Sequence, residues 1–298
     1  MSQAWLDQPE RGSIAGIRFV AAVAMLLGRP VARLMLYPIC VYFLLFSVSS
    51  RAASRKYLER VLERPPRVKD LFFHYFTFAS VALDRVFLLN DRHTLFQTRI
   101  YGEDLMQQAR ERGQGCLLLG AHLGSFEILR ALGCSRQLEV VLVMYEDNAR
   151  KINAVIDAIN PAIAQSIIGL GRLDSMFKVH ERLQKNAWVG VLGDRALDGQ
   201  GFVELPFLGR PALFPAAPFR LAFMLKRPIV LMVGLYRGGN RYDLHFERLC
   251  DPSGIDRSRR AAAVEEAMQL YAQRLEHYCR EAPYNWFNFY DFWDGSAR

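Results

Sequence analysis

The chain is poor in the residues that build metal centres and disulfide frameworks. It has six histidines and five cysteines in 298 residues. Cys40, Cys116, Cys134, Cys250 and Cys279 are odd in number, fit no metal-ligand spacing, and none has a histidine at motif distance. They read as reduced thiols of a cytosolic compartment, and the pattern argues against metal-dependent or cysteine-nucleophile chemistry. Acidic side chains are also in deficit: 30 Asp and Glu stand against 38 Lys and Arg, a net charge of +8. A basic excess favours anionic partners. No nucleic-acid-binding motif accompanies it, which leaves an anionic membrane surface or an acidic carrier. Internal repeats and low-complexity linkers are missing too. The chain is expected to form one integrated domain with an N-terminal helical appendage, divided at 1–66 and 67–298. A cleaved signal peptide is not expected, because Asp7 and Glu10 precede the first apolar run and no small-residue cleavage site follows.

Apolar residues are plentiful. They make up 51% of the chain, and the mean hydropathy of +0.03 is high for an enzyme that works free in water. Ile14 to Ser50 is mostly apolar, interrupted by Arg18, Arg29 and Arg33. Leu34 to Ser50 is free of charge for 17 residues, at the low end for a span of about 20. Three arrangements are open: a single short span, a helix in the membrane interface with snorkelling arginines, or a buried helical hairpin. Arg64-Pro65-Pro66-Arg67 closes this section, since paired prolines end helices. Val68 to Asn90 is aromatic and too densely apolar for a one-sided helix. His74 lies within it and reads as a satisfied core histidine.

From residue 97 the pattern alternates. Short apolar runs at Cys116–Leu119, Val140–Met144, Ile167–Ile168, Ala187–Leu192 and Ile229–Leu235 predict buried strands. Helix-like stretches lie between them at Tyr101–Arg112, Phe126–Leu132, Ala149–Ile159, Ser175–Lys185 and Pro215–Lys226. This alternation predicts an α/β fold with a mostly parallel central sheet flanked by helices. Tyr242 to Glu247 predicts a half-exposed late strand. Arg259–Arg280 predicts a long amphipathic helix with Ser258 at its N-cap.

The stretch Cys116 to Gly133 carries the chemistry. Its apolar run ends at Gly120-Ala121, and His122 and Glu127 follow with Gly124 and Ser125 between them. A ligand site in an open α/β sheet lies beyond the carboxyl ends of its strands. Five residues along one helix would put His122 and Glu127 about 140° apart. His122 is therefore expected in the turn, Ser125 near the N-cap, and Glu127 in the first helical turn, where its carboxylate can reach back to one imidazole nitrogen. The other nitrogen would then accept a proton from a hydroxyl. The plainer alternative has Glu127 capping its own helix beside a solvated His122.

Gly120-Ala-His-Leu-Gly-Ser-Phe-Glu127 resembles the His-x4-Glu box of the bacterial lipid A biosynthesis acyltransferases, within the lysophospholipid acyltransferase superfamily. Further matches follow in order. Gly193-Asp-Arg195 with Phe202-Val-Glu-Leu-Pro-Phe-Leu-Gly209 resembles the second block. Pro215 to Lys226 with Pro228-Ile-Val resembles the family's helix and strand. Tyr284-Asn-Trp-Phe-Asn-Phe-Tyr-Asp-Phe-Trp293 resembles the C-terminal tryptophan block. The resemblance spans roughly residues 10–293. Two features depart from the pattern: Asp194-Arg195 replaces the commoner Asp-Gln or Asp-His, and the Arg-rich elements that hold a phosphorylated disaccharide are not recognisable. These departures set the chain toward a side branch and leave the acceptor open.

The resemblance implies O-acyl transfer from an acyl carrier protein or CoA thioester to a hydroxyl of a lipid or glycolipid. It places the enzyme at the cytoplasmic face of a bacterial inner membrane, with no metal and no cofactor beyond the acyl thioester co-substrate. In that reading His122 is the general base and Glu127 orients it. Backbone amides around Gly124, Ser125 and Phe126 are candidates for the oxyanion site, and Arg195 or Arg172 for added positive charge. Asp194 is a candidate for binding acceptor hydroxyls or holding Arg195, and Phe207, Gly209 and Phe214 for lining an acyl channel. A hydrolase that activates water with the same pair, and a non-catalytic membrane assembly factor, are the competing functions.

Overall fold

The computed structural model describes residues 14–111, 113, 115–128, 139–145, 167–170, 175–195 and 201–293. The predicted helix Ala149–Ile159, Cys134 and Arg172 lie outside the described residues.

Three helices come first: α1 (Ile14–Phe46), α2 (Val48–Leu62) and α3 (Val68–Leu88). α1 is kinked at Gly28, whose backbone leaves the helical region, with Pro30 two residues on. Ala21, Ala24, Ala32, Leu36 and Cys40 are buried along one side of it, at the three- and four-residue spacing of a helix face. Tyr37 on this helix packs on Phe72 and Phe76 of α3. Arg29 forms a two-pronged bond to buried Asp84 of α3, at 2.6 and 2.8 Å. The rest of α1 is apolar but uncovered: Phe19, Leu26, Leu27, Leu34, Val41 and Leu45 are all exposed. α2 ends at Leu62, three residues ahead of the proline pair, with Glu63 in left-handed backbone.

The remaining elements are β1 (Gln97–Tyr101), α4 (Glu103–Glu111), β2 (Leu117–Gly120), β3 (Val140–Tyr145), β4 (Ile167–Leu170), α5 (Ser175–Gln184), β5 (Trp188–Leu192), β6 (Phe202–Phe207), β7 (Arg210–Pro215), α6 (Ala217–Leu225), β8 (Ile229–Tyr236), β9 (Arg241–Cys250) and α7 (Arg260–Glu281). Seven strands form one sheet in the order β1-β9-β8-β2-β5-β3-β4. β8, β2, β5, β3 and β4 run parallel. β9 is antiparallel to β8 and carries β1 at the edge. The fold is α/β with a mostly parallel sheet, as the alternation predicts. The central strands β2 and β8 are buried along their whole length, which is why they read as unbroken apolar runs. β9 alternates, with one face on the core.

The structure differs from the sequence expectations at three places. β1 is a short edge strand that opens Gln-Thr-Arg, so no apolar run marks it. β6 and β7 form a separate antiparallel hairpin that contains Pro206, Pro211 and Pro215; a two-stranded ribbon has outer edges where a missing N–H costs no ladder bond. α7 begins after a single 3-10 turn at Arg257–Arg259, with no side-chain cap from Ser258.

Candidate active site

The site follows from the pairing of two neighbouring strands. β2 and β5 are parallel, with Gly120 opposite Leu192. Two residues further along each chain lie His122 and Asp194. They meet beyond the carboxyl ends of the strands, where α/β sheets place their ligands. The His122 imidazole Nδ1 is 2.9 Å from Asp194 Oδ1, and the His122 backbone N–H donates to Asp194 Oδ2 at 3.0 Å. This corrects the sequence reading. The carboxylate that holds the imidazole comes from β5, and Glu127 instead forms an ion pair with Arg85 of α3 at 2.6 Å. The Ser125 hydroxyl also faces the Glu127 carboxylate, at 3.5 Å. The physical reason is register. Adjacent parallel strands deliver residues at equal height, whereas the first turn of a helix points Glu127 across to α3.

Asp194 is 1% exposed. Burial alone would raise its pKa, but the His122 and Arg195 charges and the hydrogen bonds from His122 outweigh it and hold the carboxyl down at about 2. Two more donors converge on Oδ2: Trp286 Nε1 at 3.0 Å and Asn288 Nδ2 at 3.2 Å. An ionised carboxylate only accepts, so His122 Nδ1 carries the proton and Nε2 keeps its lone pair. Nε2 has no partner among the described residues, and the side chain retains 29% exposure. Burial, then the nearby Arg195, pushes the His122 pKa down despite Asp194. The imidazole is therefore neutral and able to accept a proton at neutral pH.

The turn after β2 is tied down from both sides. Gly124 has φ +67°, and a Cβ there would lie 1.9 Å from the Gly234 carbonyl oxygen of β8. No residue but glycine fits so close a crossing. The Gly124 N–H donates to the Asn285 carbonyl and the Ser125 N–H to the Gly234 carbonyl, each at 2.8 Å. Those two amides are spent on the fold, which removes them from the oxyanion candidates. Of the three amides named from the sequence, only that of Phe126 has no partner among the described residues.

Arg195 sits beside the pair. Its Nε donates to Asn288 Oδ1 at 2.7 Å, one terminal nitrogen donates to the Phe287 carbonyl at 2.9 Å, and the guanidinium lies 5.4 Å from the Tyr290 ring centre. Gly209 is placed away from this cluster, in the β6–β7 turn, with open space around it. Phe207 and Phe214 are fully buried against Trp286, Tyr271, Phe292 and Trp293. These rings pack the core. The sequence places Trp286 and Asn288 in the tryptophan block but assigns them no role; their 92- and 94-residue separations from Asp194 leave no local signal.

The arrangement is a partly exposed imidazole, a buried carboxylate behind it and a guanidinium alongside, which suits proton abstraction from a hydroxyl next to a developing negative charge. A search of curated proteins finds no match to the chain. The profile of the family described as bacterial lipid A biosynthesis acyltransferase matches residues 5–294. Nearly the whole chain is covered, and the protein belongs to the bacterial lipid A biosynthesis acyltransferase family, acyltransferases of lipid-like substrates.

Proposed function

We propose that the protein transfers an acyl group from a thioester directly to a hydroxyl of a membrane lipid or glycolipid, with His122 as general base. The observation that carries this reading is the His122–Asp194 pair at the carboxyl edge of β2 and β5. Nε2 takes the hydroxyl proton as the oxygen attacks the thioester carbonyl carbon. The tetrahedral adduct collapses and expels the thiolate, which takes the proton back from Nε2–H. An alcohol and a thioester become an ester and a thiol, and no covalent enzyme intermediate is needed. Asp194 holds the tautomer and stabilises the transient imidazolium, in the manner of the buried carboxylate of a hydrolase triad. Arg195 and the Phe126 amide are the groups placed to stabilise the oxyanion. Glu127 works through Arg85: it offsets a guanidinium whose charge lowers the proton affinity of His122.

The uncovered apolar face of α1 supports work at a membrane. Arg18–Phe46 is long and apolar enough to cross a bilayer. Its Arg29–Asp84 anchor and its packing on α3, however, keep it lying along the domain. This favours insertion in the interface over a span. The net charge of +8 suits anionic lipid and an acidic acyl donor, either acyl carrier protein or CoA. Mass spectrometry of lipids from cells with the wild-type chain and with His122→Ala tests the proposal. A lipid species that loses one acyl chain in the variant supports it and names the acceptor; identical lipid profiles refute it.

A further inference from the structure

We propose that the C-terminal stretch 285–288 is a positioning element for the His122–Asp194 pair, with Trp286 and Asn288 as positioning residues and His74 of α3 locking the stretch in place. The two oxygens of a carboxylate are chemically equivalent until something distinguishes them. Here Oδ2 accepts three N–H groups, from His122, Trp286 and Asn288, while Oδ1 faces the imidazole alone. Loading one oxygen fixes the rotation of the carboxylate. Fixed rotation aims Oδ1 at Nδ1 and turns Nε2 toward the open side.

Nearly every other polar group of the stretch is also engaged. The Asn285 carbonyl takes the Gly124 N–H, the Phe287 N–H donates to the His122 carbonyl at 2.7 Å, and Leu123 bridges to Trp286. The Asn285 side chain bonds both the N–H and the carbonyl of Tyr236. The stretch thus grips the histidine turn along its backbone and the aspartate with its side chains. The ring of Trp286 packs on Tyr57, Phe207, Phe292 and Trp293. Packing explains the ring but does not require an indole N–H aimed at Asp194.

The lock lies behind it. His74 is fully buried; its Nε2 is 2.8 Å from the Trp286 carbonyl oxygen, and its Nδ1 is 2.7 Å from the Ser54 hydroxyl. A carbonyl oxygen only accepts, so Nε2 carries the proton, and Nδ1 accepts from Ser54 of α2. A run of hydrogen bonds and one side chain therefore joins the N-terminal helices to the reacting histidine: Ser54, His74, Trp286, Asp194, His122. The N-terminal helices hold the site as well as carrying the membrane-facing surface.

The test is a Trp286→Phe variant, which keeps a ring and removes the N–H. The first readout is the titration and tautomer of His122 by NMR with 15N-histidine, its resonance identified by its loss in His122→Ala. This readout does not depend on the proposed reaction. With the carboxylate free to rotate away from Nδ1–H, its hold on the imidazolium weakens, so the His122 pKa falls and the fixed Nδ1–H tautomer becomes mixed. The second readout rests on the proposed acyl transfer. Using an acyl-CoA and extracted membrane lipid, kcat falls about ten-fold to a hundred-fold with KM unchanged, the range for a hydrogen bond to a charged group. Asn288→Ala removes the other donor; because it also frees Arg195, its His122 tautomer rather than its kcat decides the matter if Trp286→Phe does not fold. A folded Trp286→Phe protein with wild-type His122 tautomer and wild-type kcat, or failing that Asn288→Ala with the wild-type tautomer, overturns the proposal. If wild type transfers no acyl group, the functional reading fails, and the NMR result still decides the positioning claim.

Discussion

Replacing Asp194 by asparagine changes almost no volume and should nearly abolish catalysis. Three N–H groups converge on Oδ2, so the new amide oxygen must occupy that position. Its NH2 group then faces His122 Nδ1, which can only accept. The imidazole proton is driven to Nε2, and the nitrogen meant to receive the substrate proton already holds one. Loss of the correct tautomer in a serine-protease triad costs about 10⁴ in kcat, and a fall of roughly 10³ to 10⁴ is expected here on the same ground. Stability falls too. The carboxyl is held at about 2 against an ordinary 3.8. Preference for the ionised form by nearly two units corresponds to about 2 kcal/mol at neutral pH. Steady-state acyl transfer gives the first number and urea unfolding the second. A variant whose kcat stays within about ten-fold of wild type would refute the reasoning, since one donor is all that separates the two tautomers.

Three further outcomes follow from other parts of the molecule. Glu127→Gln leaves the Arg85 guanidinium uncompensated beside His122. The acid limb of the kcat–pH profile should therefore move to lower pH while the plateau kcat stays within about ten-fold of wild type; a plateau loss of roughly 10³ or more, the size expected for Asp194→Asn, would place Glu127 on the imidazole after all. Burial holds His74 at about 4 against an ordinary 6.5. The unfolded chain therefore binds a proton that the folded chain refuses, and about 3 kcal/mol of stability is lost as pH falls from 6.5 toward 4. Unfolding free energies across that window should show the slope in wild type and lose it in His74→Gln. Leu26→Glu with Leu34→Glu places charge on the bare face of α1, where both leucines are now exposed. Burying a leucine contributes about 1.5–3 kcal/mol, so sedimentation with anionic vesicles should weaken more than ten-fold; unchanged binding would remove α1 as the docking surface.

The alternation of apolar runs and helical stretches made the parallel sheet legible, because β2 and β8 are buried throughout and β5 over its first three residues, and none of them carries a polar residue to hide it. His122 was legible for the same reason, as the first strongly polar residue after such a run. Its partner was not. Asp194 lies 72 residues away, and nothing local says that β5 is the neighbour of β2. The nearest carboxylate in sequence, Glu127, therefore took the role that strand pairing gives to Asp194. Gly124 and Ser125 were visible as a tight turn, but the crossing over Gly234 that uses up their amides depends on β8. His74 read as a satisfied core histidine, and both its nitrogens are bonded; that one bond ends on the Trp286 carbonyl follows from the packing of the chain's two ends. The β6–β7 hairpin escaped because its prolines argue against strands until the ribbon is seen to have free edges.

The central claim is that His122 accepts the proton of a lipid hydroxyl during acyl transfer. Purified wild-type and His122→Ala proteins, given a radiolabelled acyl thioester with and without extracted membrane lipid, test it most directly. The account predicts label in lipid ester for wild type, dependent on added lipid, and a loss of that ester in the variant by roughly 10² to 10⁴, the contribution of a general base. Lipid acylation undiminished in His122→Ala, or thioester consumed by wild type at the same rate without lipid and released as free acid, would contradict it.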